Sequence, residues 1–254
     1  MKIGIMGFGH LGQAFTKGLL NKQFVLQQDI YVTTKSEESL HNARMLYKVN
    51  TCDDNIELIE KVDIVIIALP KIAFFEYFSS KNIIIDNNKI YISLMAGVKT
   101  ETIKELLGDV SLVRAMPNLG IADNDGVIGY TKTDDQFIID MMNHLGHAFM
   151  IDENEIEKVT AFASCGVGFA AYILDSFYRV GKSFGFDDIT TRKIIANIFT
   201  TALTTEDYEK LVTAVATKGG ATEAGVNNFN DNRLNDVIRN GINEAFLKMT
   251  KSDE

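Results

Sequence analysis

Through the first 150 positions, short β-branched runs alternate with stretches whose apolar residues recur at helical spacing. The runs are "KIGIMG" (2–7), "DIYVTT" (29–34), "YKVNT" (47–51), "DIVIIAL" (63–69), "IYISLMAG" (90–97) and "SLVRAM" (111–116). That alternation restricts the fold sharply, because strands separated by helices build a parallel sheet covered on both faces. Six such strands fit a doubly wound α/β sheet. "VIGYT" (127–131), a helix through "DDQFIIDMMNHLG" and a strand in "HAFMID" (147–152) are expected to extend it.

After Asp152 the strand signals stop. "ENEIEKVTAFAS", "GFAAYILDSFYRVGKSFG", "DDITTRKIIANIFTTALTT" and "LNDVIRNGINEAFLKMT" carry apolar residues three and four apart, with Gly and Asp at their ends. The chain therefore divides into an α/β domain at 1–152 and an all-helical domain at 153–254. Between about Gly168 and Phe184 the helix is apolar over much of its circumference (Phe169, Ala170, Tyr172, Ile173, Leu174, Phe177, Val180). It is a candidate dimer core, with the central helix of a monomeric bundle as the other reading.

Charge narrows the partners. The 25 basic and 34 acidic residues give a formal charge of −9, and no basic cluster offsets it, so neither nucleic acid nor an anionic membrane is expected to bind. Unbroken apolar runs such as "IVIIAL" are shorter than the roughly 18 residues of a membrane span. Strand-like sequence from Met1 predicts no signal peptide, hence a soluble cytoplasmic protein. Cys52 and Cys165 are read as reduced thiols, and neither they nor the 4 histidines have metal-ligand spacing, so no metal is expected.

"GFGHLG" (7–12) follows the first strand and opens the helical "LGQAFTKGLL". In a strand, turn and helix of this kind Gly7 permits the turn, Gly9 lets a pyrophosphate approach the backbone, and Gly12 lets helix and strand pack closely. His10 and Leu11 complete the loop. Phosphates would sit at the helix N-terminus, where free N–H groups and the helix dipole favour an anion. The motif thus predicts a Rossmann domain holding a dinucleotide.

The end of the second strand discriminates the cofactors, since an acid there binds the ribose hydroxyls of NAD. Here Thr33, Thr34, Lys35 and Ser36 offer hydroxyls and a cation, which favours NADP and leaves NAD possible. Asp29, the nearest acid, precedes the strand.

Two further stretches, "LVRAMPN" (112–118) and "ATKGGATEAGV" (216–226), together with "SLMAGVKTETIKELLG" (93–108), resemble the pyrroline-5-carboxylate reductase family. That family makes proline from its cyclic imine with NAD(P)H. The resemblance implies a Rossmann domain followed by an all-α dimerisation domain, in a homodimer or a higher oligomer. It implies that Ala68, Leu69 and Pro70 flank the nicotinamide ribose, and that Ala96, Gly97, Met116, Pro117 and Asn118 line the nicotinamide. Gly219, Gly220, Ala221 and Thr222 would receive the imino acid's carboxylate, with Cys165 in the substrate wall and Thr222 hydrogen bonding the ring nitrogen. The chemistry suits these residue types: hydride transfer needs a held cofactor, an anion site and a proton for nitrogen, but no nucleophile or metal. Backbone N–H groups of "GGAT" can hold a carboxylate, and a Thr hydroxyl can donate to the nitrogen.

The pattern departs from the family near the substrate. "ASCGVGF" (163–169) stands for S-G-S-G-P-A-Y, Ala216-Thr217-Lys218 replaces Ser/Thr-Ser-Pro, Glu223 stands where an aliphatic residue is common, and "ALPK" (68–71) replaces A-V-K-P. The resemblance as a whole still implies reduction of pyrroline-5-carboxylate. A related reductase of another small imine or keto acid, or a nucleotide-binding regulatory protein, remains an alternative reading.

Overall fold

The runs Ile3–Met6 (β1) and Ile64–Ile67 (β4) are buried at every position, the sign of strands covered on both faces. Successive side chains alternate between those faces. Ile64 and Ile66 enter one core with Ile3, Ile5, Phe15 and Ile92, while Val65 and Ile67 enter the other with Met6, Leu58, Phe74 and Tyr91. A computed structural model describes residues 1–79 and 87–251.

The remaining strands are Ile30–Thr33 (β2), Asn50–Thr51 (β3), Ile90–Ser93 (β5), Ser111–Pro117 (β6), Gly126–Thr131 (β7) and Gly146–Ile151 (β8). They form one sheet in the order β3-β2-β1-β4-β5-β6-β7-β8. Pairing is parallel from β3 through to β6, antiparallel between β6 and β7, and parallel again between β7 and β8. Each of the eight expected strand runs overlaps one of these strands, the third only at Asn50–Thr51, and the expected helix between "VIGYT" and "HAFMID" lies between β7 and β8.

One face is covered by His10–Leu20 (α1) and Gln136–Leu145 (α6), which bury Phe15, Leu19, Ile138 and Met142. The other is covered by Asn55–Lys61 (α3), Lys71–Ser79 (α4) and Thr100–Leu107 (α5), through Leu58, Phe74 and Ile103, once Glu37–Asn42 (α2) has closed the β2 crossover. Side chains at the helix starts accept the orphan N–H groups. Ser36 caps α2, Asp54 caps α3 and Asp135 caps α6.

The rest is helical: Ile156–Val159 (α7), Cys165–Ser183 (α8), Asp188–Ala202 (α9), Tyr208–Val215 (α10), Ala221–Asp231 (α11) and Leu234–Thr250 (α12). Contacts divide the chain into two compact units, Met1–Cys165 with Ala245–Glu254, and Gly166–Glu244. The first carries the whole sheet and its two cores. In the second, Thr191 is the only residue classed as buried among the described residues, and Tyr172, Phe184 and Leu203 are each more than 70% exposed. Both cysteines are free thiols.

The helical run Glu153–Ser183 is long and apolar enough, by length and composition, to cross a membrane, with a mean hydropathy of 1.3 over 18 residues. Unbroken runs underestimate such a helix, because scattered polar residues interrupt the run while the average stays high.

Candidate functional site

The sheet order reverses between β1 and β4, and that is where a ligand crevice opens beyond the strand carboxyl ends. Register makes the ends level: Met6 lies opposite both Thr33 and Ile67. Gly7 N–H donates to Thr33 O at 3.1 Å and Ala68 N–H to Met6 O at 2.8 Å, which fixes three loops side by side. They line a cleft of about 1030 Å³ that includes Gly7, Gly9, His10, Leu11, Thr34, Lys35, Ser36, Ala68, Leu69, Pro70 and Ala96.

The glycine loop has the geometry that a pyrophosphate needs. Gly7 adopts φ +92°, and a Cβ there would lie 2.7 Å from Ala68 O. A Cβ on Gly12 would come within 2.2 Å of Gly7 O, so helix and turn touch directly, whereas a Cβ on Gly9 would meet nothing within 4 Å. Space for a ligand therefore lies beside Gly9. Gly9 starts α1 without a side-chain cap, and the first turn carries no acid, so its N–H groups and dipole remain available to an anion.

At the β2 end Lys35 and Ser36 are exposed and Thr34 is half-buried. Ser36 is partly committed, accepting from Ser39 N–H, and its own N–H donates to Thr34 Oγ1. Asp29 lies at the opposite end of β2, just before Ile30.

The cleft also contains residues that sequence reasoning passed over: Asp54, Asn55, Lys71 and Tyr77. Asn55 accepts a 2.5 Å hydrogen bond from the buried Thr33 hydroxyl, and Asp54 accepts from Ile56 and Glu57 N–H as the α3 cap. Lys71 Nζ lies 3.5 Å from Gly97 O, joining the loops after β4 and β5, and Gly97 has φ +65°. A D-N pair before an apolar helical run was the available signal for the first two.

Gly12, Gly97, Met116, Pro117 and Asn118 do not line this cleft. Met116 and Pro117 are buried at the end of β6, with Pro117 O accepting from Ser164 Oγ at 3.0 Å. Asn118 Oδ1 accepts from Gly120 and Val127 N–H, so it shapes the β6–β7 turn. Cys165 is half-buried, and burial pushes its thiol pKa up.

In the helical unit, "GGAT" is a turn running straight into α11, with Gly220 as its uncapped N-cap. Two of its N–H groups are already used: Gly219 donates to Glu223 Oε2 at 2.7 Å and Gly220 to Thr217 O at 2.8 Å. Ala221 and Thr222, exposed in the first turn, carry N–H groups with no intrahelical acceptor. Lys218 and Glu223 form no ion pair among the described residues.

Residues 153–252 match the family model described as pyrroline-5-carboxylate reductase dimerisation, and residues 2–97 match that described as NADP oxidoreductase coenzyme F420-dependent. Pyrroline-5-carboxylate reductase 2 of Bacillus subtilis is 28% identical, covering 100% of this chain and 95% of its own. The Staphylococcus haemolyticus pyrroline-5-carboxylate reductase is 27% identical over 100% of both. Among solved structures, Plasmodium falciparum pyrroline carboxylate reductase with NADP bound superposes with a TM-score of 0.86 at 20% identity, covering 99% of this chain and 97% of that one. The Streptococcus pyogenes 1-pyrroline-5-carboxylate reductase gives 0.87 at 21%, over 99% and 98%. With full-length relatives, matching models in both halves and the same fold throughout, this chain is similar to the pyrroline-5-carboxylate reductases along its whole length.

Proposed function

We propose that the protein reduces 1-pyrroline-5-carboxylate to L-proline, with NADPH as the hydride donor. The observation that carries the reading is the cleft at the β1/β4 switch point, floored by the uncapped, acid-free start of α1. Full-length similarity to proteins named for that reaction supports the substrate. Bound NADPH supplies a hydride for the imine carbon; the protein's part is to hold, orient and protonate.

The loop from Gly7 to Gly12, with His10 and Leu11, takes the pyrophosphate. Thr34, Lys35 and Ser36 take the 2′-phosphate, Ala68, Leu69 and Pro70 the ribose, and Ala96, Gly97, Met116, Pro117 and Asn118 shape the nicotinamide end. Gly219, Gly220, Ala221 and Thr222 form the carboxylate turn, where the open N–H groups of Ala221 and Thr222 do the binding and the glycines keep the approach clear. Thr222 Oγ1 donates to the nitrogen as the C=N bond becomes an amine, and Cys165 belongs to the substrate wall. Residues 153–254 carry a homodimer interface, and the description of the family model matching 153–252 supports that role.

Oxidation of NADPH and NADH with pyrroline-5-carboxylate tests the reading. Turnover is expected with NADPH, and Lys35→Ala should raise its KM about tenfold, the worth of one charge-assisted hydrogen bond, while sparing NADH. No turnover with either nucleotide, under conditions where it binds, would sink the proposal. Equal effects on the two nucleotides would remove the role given to Lys35.

A further inference from the structure

The turn ahead of α11 already holds a carboxylate. Glu223, third residue of the helix, folds back so that Oε2 accepts the Gly219 N–H at 2.7 Å, with Gly219 at φ +76°. An acid at this position reaching back across a helix start resembles half of a capping box, shifted by one residue to the N–H before the N-cap. The other half, a Ser or Thr at the N-cap, is absent because Gly220 stands there without a side chain. Glu223 thus puts a negative charge on the turn that leads into the first-turn N–H groups of Ala221 and Thr222, and among the described residues it forms no ion pair with Lys218. A carboxylate approaching those N–H groups meets a like charge already bound to the same turn.

Resting on the reading of Gly219–Thr222 as the carboxylate site, we infer that Glu223 is a specificity-determining residue. Its charge competes with the substrate carboxylate for the turn and weakens binding of carboxylate-bearing imines relative to the same ring without that group. The first substrate is repelled and the second is not, so Glu223 narrows the gap between them.

Glu223→Gln isolates the charge, since the amide oxygen can still accept from Gly219 N–H. The KM for pyrroline-5-carboxylate is expected to fall about fivefold, the size of a like-charge repulsion at about 4 Å fully screened by water, with kcat little changed. The KM for 1-pyrroline should not fall. Glu223→Ala, which also removes the hydrogen bond, should lower the first KM similarly while lowering Tm. An unchanged KM in both variants, or an equal fall for the two imines, overturns the inference and reduces Glu223 to a helix cap. Absence of turnover by the unmodified protein with pyrroline-5-carboxylate overturns the functional reading itself, and this inference with it.

Discussion

A single methyl group separates three glycines that look equivalent in "GFGHLG". Added to Gly12 it would strike Gly7 O at 2.2 Å, and at Gly7 it would meet Ala68 O in a backbone of positive φ; at Gly9 it would project into open space. The backbone itself therefore requires Gly7 and Gly12, while only the ligand requires Gly9. Gly9→Ala should keep stability within about 0.5 kcal/mol and weaken NADPH at least tenfold, whereas Gly12→Ala should lose about 2 kcal/mol or more. Thermal unfolding beside nucleotide titration checks the pair, and equal destabilisation would undo the distinction. The division of labour was legible because the motif sits between a strand and a helix. Asn55 was not, since it lies 43 residues beyond Gly12 and only the order β3-β2-β1 brings it beside the loop.

Three elements meet at one buried cation. Arg114 on β6 is fully buried; its guanidinium donates to Glu153 at 3.1 Å and to Glu157 at 2.6 Å, just before and within α7. Glu153 also accepts from Thr100 N–H and Oγ1, closing the start of α5. Burial alone would push Glu153 up, but the hydrogen bonds from Thr100 and Arg114 outweigh it and hold its carboxyl below the usual 4.5. A depressed carboxyl contributes stability that is present above pH 4.5 and is lost as pH falls below it toward the folded value. Glu153→Gln should cost about 1 kcal/mol at pH 7 and flatten the acid limb of the urea midpoint against pH; an unaltered limb would refute the clamp. Sequence pattern did not reveal this cluster. Arg114 sits in an apolar strand run, and its partners lie 39 and 43 residues away, on the far side of β7 and β8. Periodicity likewise did not single out α11, because Gly and Asn in "ATEAGVNNFND" weaken the helical signal.

On the scale of the whole molecule, the two units differ in kind. Met1–Cys165 has cores on both faces of a sheet, while Gly166–Glu244 leaves Tyr172, Val180 and Leu203 more than half exposed and buries little of its own. Helices that bury so little of themselves gain little stability from their own chain, and the proposed partner copy would supply their core. Tm should rise with protein concentration, and Val180→Glu should lower it while shifting the mass in light scattering toward one chain. A Tm independent of dilution would argue against the homodimer. This asymmetry was partly legible, since the apolar circumference of Gly168–Phe184 pointed to an interface, but periodicity could not say whether the same chain or a second one covers it.

In the proposed homodimer the exposed face of α8 would also set the order of maturation. The sheet unit would form at a rate that ignores how many copies are present, whereas the helical unit would wait for a collision. Its appearance would then be second order in chains, and newly made protein would reach its working form faster where synthesis is abundant than where it is sparse.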